Sequence, residues 1–123
     1  MLNALIVDDE EDICELLLEA LEKFELNVRY ALTGEEALQR VRSQEFNLCI
    51  VDLRLSTGIT GLDVIKVIRE YWPKCIIIGM TGYVDVGLRQ EAEKIGINAF
   101  FSKPDDLRQE AFDEKIKILL QLK

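Results

Sequence analysis

The sequence contains no histidine, which removes Ser-His-Asp triads, Cys-His dyads and the common histidine-bearing zinc sites at once. Cysteine is sparse: Cys14, Cys49 and Cys75 form no CxxC pair, are odd in number and sit among apolar residues. They read as small hydrophobes of a reducing compartment, not as metal ligands or a disulfide framework. No apolar run approaches the ~18 residues of a membrane span, and the N-terminus has no signal-peptide pattern, so a cytoplasmic chain without membrane association is expected. Positive charge is in deficit, with 15 Lys and Arg against 23 Asp and Glu, for a net charge of -8. Such a surface repels nucleic acid and anionic lipid, which argues against direct nucleic-acid binding by this chain. What is present, 49% apolar and 31% charged residues over 123 positions, suits one soluble globular domain with one core.

Apolar strand-like runs alternate with helical patterns five times. Ala4–Val7, a weaker stretch at Asn27–Leu32, Asn47–Val51, Cys75–Met80 and Ala99–Phe101 read as strands, several of them buried on both faces. Between them, Ile13, Leu16, Leu17, Ala20, Leu21 and Phe24 trace one helical stripe. Thr33 with Glu36 makes a capping box for a second helix. Leu62, Ile65 and Ile68 carry a third towards Trp72, where Pro73 ends it. A fourth is expected from about Val84 to Lys94, stopping at Gly96. The last is expected from Pro104 or Asp105 towards Leu122, with Pro104 at the helix start. This alternation predicts an α/β fold, a three-layer (βα)5 sandwich with a parallel five-stranded sheet and right-handed crossovers.

Chemistry collects just past the strands. Asp8-Asp9 follows the first, Asp52 the third, Thr81 the fourth and Lys103 the fifth. In an open parallel sheet these C-terminal ends share the edge where ligands bind. Adjacent carboxylates repel, and oxygen-only ligands point to Mg²⁺ or a similar hard ion. Asp52 can act as a carboxylate nucleophile towards a phosphoryl group, with Lys103 and Thr81 as charge and hydroxyl donor for its oxygens. Glu11 and Asp12 are read only as an acidic helix start.

The ordered set Val7-Asp8-Asp9, Val51-Asp52-Leu53, Met80-Thr81-Gly82 and Lys103-Pro104 resembles the receiver domains of two-component response regulators, over the whole of residues 1–123. The resemblance implies a flavodoxin-like sheet of order 2-1-3-4-5. It implies that Asp52 is phosphorylated by a sensor histidine kinase or phosphotransfer protein. Mg²⁺ would be held by Asp9, Asp52 and the Arg54 backbone carbonyl, with Asp8 acting mostly through water. Thr81, Gly82 and Lys103 would bind the phosphoryl group, and Thr81 with Phe100 would form a conformational switch. An output domain or a homodimer through the last helices is the implied readout, and the chain is then a switch, not an enzyme.

Two departures stand out. Ser56 occupies a place where the family usually has proline, and the loop from Asp52 to Gly61 is one residue longer than its commonest form. Arg54 and Tyr83 stand where the family tunes phosphate loss. Two other classes share the architecture. A metal-dependent phosphohydrolase would want D-x-D after the first strand and a cap over the site, and turnover of a phosphomonoester would reveal it. A flavin or nucleotide binder would want a phosphate-cradling loop in place of the acidic Asp8–Asp12 run, and an absorbance scan would reveal a flavin.

Overall fold

The computed structural model describes residues 1–56, 58–82 and 85–121. Five strands, β1 (Asn3–Val7), β2 (Asn27–Ala31), β3 (Leu48–Asp52), β4 (Ile76–Thr81) and β5 (Ala99–Ser102), alternate with five helices. The helices are α1 (Glu11–Glu22), α2 (Gly34–Ser43), α3 (Gly61–Tyr71), α4 (Val86–Ile95) and α5 (Gln109–Leu120). All pairings are parallel, in the order β2-β1-β3-β4-β5, as expected. The order in which strands are added to the sheet reverses between β1 and β3, which opens a crevice above their C-terminal ends.

Alternation along the strands divides the core between two faces. Ala4, Ile6, Leu48, Ile50 and Phe101 pack under α1 and α5, against Leu17, Leu21, Phe112 and Ile116. Leu5, Val7, Cys49, Val51 and Ile77 pack under α2, α3 and α4, against Val41, Ile65, Ile68 and Ala92. The central strands are therefore apolar on both sides, which is why they read as unbroken runs. All three cysteines are buried, and burial pushes the Cys14 thiol up to about 12. No helix among the described residues is long and apolar enough to cross a membrane.

Local signals mostly act as read. The Thr33 hydroxyl accepts from the Glu36 N–H at 3.1 Å, while the Glu36 carboxylate reaches one residue further back than a capping box would, to the Leu32 N–H at 2.9 Å. Gly96 ends α4 at φ 113°, a conformation that disfavours a side chain. Below the sheet, the Arg69 guanidinium donates to the carbonyls of Gly96, Pro73 and Cys75 at 2.6–3.1 Å, tying α3 to the entrances of β4 and β5.

Two helix starts need correction. Asp85 caps α4, accepting from the Leu88 N–H at 3.0 Å, so that helix begins at Val86; Val84 lies outside the described residues. The last helix does not run from Pro104. A short 3₁₀ turn covers Asp105–Leu107, Arg108 is extended, and α5 begins at Gln109. The cause is Asp106, whose carboxylate takes the Ser102 N–H and pairs with Lys115, holding the turn against β5. The Lys103–Pro104 peptide bond is cis. Leu122, the expected end of the last helix, also lies outside the described residues.

Candidate functional site

Four of the five strands, all but β2, each deliver one part of the site as the hydrogen-bonded ladder ends. Asp52 is the last residue of β3, Thr81 the last of β4, and Lys103 follows the last residue of β5. Asp8 and Asp9 follow β1 directly. The Leu53 N–H donates to the Met80 carbonyl at 2.8 Å and the Lys103 N–H to the Thr81 carbonyl at 3.0 Å, so pairing continues one step past the ladder. On the other side, α3 starts hard against the Asp52 strand end. A Cβ on Gly61 would lie 2.7 Å from Leu53 Cα, so glycine is what permits that approach.

The result is an open cleft of about 470 Å³ lined by Asp9, Glu10, Asp52, Arg54, Thr81, Gly82 and Lys103. Asp8 and Thr81 are buried, and Asp52 is only 5% exposed at the cleft floor. Both Asp52 oxygens have partners: Oδ1 accepts from the Arg54 N–H at 2.9 Å, and Oδ2 from Lys103 Nζ at 3.1 Å. Lys103 Nζ also lies 2.6 Å from Asp8 Oδ2, and 3.5 Å from Glu10 Oε2. The other Asp8 oxygen accepts from the Glu10 N–H at 2.9 Å.

Desolvation dominates at the cleft floor. Burial raises the Asp8 and Asp52 carboxyls above the ordinary value, although Lys103 and backbone N–H groups pull the other way. Lys103 itself loses hydration, but its bonds to Asp8 and Asp52 outweigh that and hold its ammonium form well above the ordinary range. Asp9 behaves differently. The hydroxyl and backbone N–H of Ser56 hold its carboxyl below the ordinary range, the N–H at 3.0 Å.

One ammonium facing three carboxylates leaves net negative charge in a partly desolvated cleft. Among the described residues, Asp8, Asp9 and Asp52 each offer an oxygen within 4.8 Å of the others. A compact, all-oxygen, carboxylate set of this kind fits a hard divalent cation. Sequence reasoning named these carboxylates, Thr81, Gly82 and Lys103, and all of them line or underlie one cleft. It missed the Ser56–Asp9 bond and a second contact, in which Arg54 Nη2 pairs with Asp85 Oδ2 at 2.6 Å. Neither has a local signal, because 47 and 31 residues separate the partners. Phe100 is half-buried between β5 and α4, with the Arg89 guanidinium 4.7 Å above its ring. Tyr83 lies outside the described residues.

Residues 4–112 match the family model described as the response regulator receiver domain. The response regulator protein PilR of Pseudomonas aeruginosa is 38% identical over 105 residues, covering 85% of this chain and 23% of PilR. The photosynthetic apparatus regulatory protein RegA of Cereibacter sphaeroides is 37% identical over 109 residues, covering 87% of this chain and 58% of RegA. The chain thus spans less than two thirds of the length of these relatives. A crystal structure of a response regulator protein from Burkholderia pseudomallei, with a phosphorylated aspartic acid, a calcium ion and citrate, is similar at TM-score 0.79. It is 27% identical and covers 98% of this chain and 75% of that one. Because the matched span runs from β1 into α5 on a sheet of the same order, the chain belongs to the response regulator receiver domain family of two-component signalling, whose members are switches and not enzymes.

Proposed function

We propose that residues 1–123 form one cytoplasmic receiver unit whose Asp52 accepts a phosphoryl group from a sensor histidine kinase or phosphotransfer protein. The observation that carries this reading is the Asp52 carboxylate at the floor of an open cleft, held by Lys103 and faced by Thr81 and Gly82. In the transfer, an Asp52 oxygen forms a bond to phosphorus as the donor's P–N bond breaks. The electron pair stays with the donor imidazole, which leaves as a neutral ring once protonated. Lys103, the Thr81 hydroxyl and the Gly82 N–H bind the phosphoryl oxygens.

Asp8, Asp9, Asp52 and the Arg54 carbonyl would hold Mg²⁺, with Asp8 acting mostly through water. The ion would offset negative charge as the phosphoryl dianion approaches. Charge added at Asp52 draws Thr81 inward, and the Phe100 ring moves into the space it leaves. That shifts the face formed by α4, β5 and α5, which an output domain or a second copy would read.

The test is incubation with acetyl phosphate, with Mg²⁺ or with EDTA, followed by intact mass. One added phosphoryl group that needs Mg²⁺ is the expected result; no gain in either arm overturns the reading. We further propose that Arg54 and Tyr83 obstruct the line of attack for water on the phosphoaspartate. Replacing both with alanine is expected to speed phosphate loss, timed by the decay of the added mass. An unchanged decay would sink that role.

A further inference from the structure

Three carboxylates meet in the cleft, but they are held in two different ways. Asp8 and Asp52 both bond to the Lys103 ammonium, at 2.6 and 3.1 Å. Asp9 instead takes a bond from the backbone N–H of Ser56, on the loop after β3, which donates to Asp9 Oδ2 at 3.0 Å. Asp9 also stands nearest to open water, so repulsion from Asp8 and Asp52 would otherwise turn its side chain outward. The contact crosses the crevice, joining the end of β1 to a loop 47 residues away.

We propose that Ser56 is a positioning residue for the divalent-ion site: it pins the Asp9 carboxylate inside the cluster and so sets the affinity for Mg²⁺. The inference rests on the reading that Asp8, Asp9 and Asp52 hold that ion. That N–H occupies Asp9 Oδ2, and Asp8, Asp9 and Asp52 each still offer an oxygen within 4.8 Å of the others. Asp9 therefore meets the ion with its side chain already ordered, and the ordering loss is not incurred on binding. By linkage, an ion that prefers the pinned Asp9 also favours the loop conformation that supplies Ser56. The β3–α3 loop and the ion site are then one coupled unit.

The experiment is calorimetric titration of the metal-free chain with MgCl₂, comparing wild type with Ser56→Ala, Ser56→Pro and Ser56→Thr. Ser56→Pro removes the N–H and is expected to weaken Mg²⁺ binding roughly three- to tenfold, the loss of one immobilised side chain. Ser56→Ala and Ser56→Thr keep the N–H and are expected to bind within about twofold of wild type. Ser56 is exposed, so the metal-free melting temperature of Ser56→Ala should match wild type. Unchanged or tighter binding in Ser56→Pro, or an equal loss in Ser56→Ala, overturns the proposal while leaving the ion site intact. No Mg²⁺ binding by the wild type overturns the ion site and this inference together.

Discussion

Asp52→Asn is expected to abolish phosphoryl uptake from acetyl phosphate and at the same time to make the metal-free fold more stable. The amide keeps the shape of the side chain and an oxygen for the Arg54 N–H, now 2.9 Å away, but it is a far weaker nucleophile. The stability gain follows from the site's electrostatics. Burial, aided by the neighbouring charge of Asp8, raises the Asp52 carboxyl above its ordinary 3.8. A group raised on folding contributes its full stability below the ordinary value and loses it as pH rises through the folded one. At neutral pH the ionised Asp52 therefore costs the fold, and asparagine removes that cost. A gain on the order of 1 kcal/mol, roughly 3–6 °C in melting temperature, is expected in EDTA at pH 7. It should shrink as pH falls towards 3.8, the ordinary value from which the carboxyl is displaced. Added mass in Asp52→Asn would move the acceptor elsewhere, and a lower melting temperature would contradict the electrostatic account.

Lys103→Met is expected to act in the opposite direction. The ammonium is the counterion shared by Asp8 and Asp52, and both carboxylates are buried beneath it. Removing one partner of a buried pair costs about 3–5 kcal/mol, because the remaining charge is left uncompensated. Here the cleft is open to water, so a loss on the order of 2–3 kcal/mol in EDTA is expected from urea unfolding. Mg²⁺ would then take over as counterion for the cluster, and its binding stabilises in proportion to RT ln(1 + [L]/Kd). The rise in melting temperature on adding millimolar Mg²⁺ should accordingly be larger in Lys103→Met than in wild type. An equal loss with and without Mg²⁺ would mean that Lys103 matters for packing alone.

The sign contrast between these two variants depends on where side chains sit, and much of that was readable from the chain. Asp8, Asp52, Thr81 and Lys103 were legible as a site because each ends an apolar run, and parallel topology sends all such ends to one edge. The fold was legible for the same reason: strands buried on both faces leave runs that few other elements imitate. Boundaries were less so. Asp85 carries a cap signal, but an apolar residue before it drew the expected helix start two positions too early. The break before α5 was invisible, since it comes from Asp106 reaching back to Ser102 and forward to Lys115. The bonds of Ser56 to Asp9 and of Arg54 to Asp85 were beyond reach for a different reason. They join loops that only the folded sheet brings together, and exposed loop residues carry no periodicity to betray their partners.

The Arg69 clasp beneath the sheet gives the molecule two unlike ends. At the strand entrances, one guanidinium spans three carbonyls and fixes the spacing of α3, β4 and α4 by short charged bonds. At the strand exits, the corresponding ties between elements run through Lys103, Ser56 and Arg54, and each of these touches a carboxylate of the acidic cleft or of the α4 cap. A change of charge above the sheet therefore meets a lever with its fulcrum already set. The Arg69 bonds hold α4 at its foot, after Gly96, while at its head the Asp85 cap ties it to Arg54. If Asp52 takes a phosphoryl group as proposed, that small electrostatic event would be expected to tilt one helix and leave the core that carries it undisturbed.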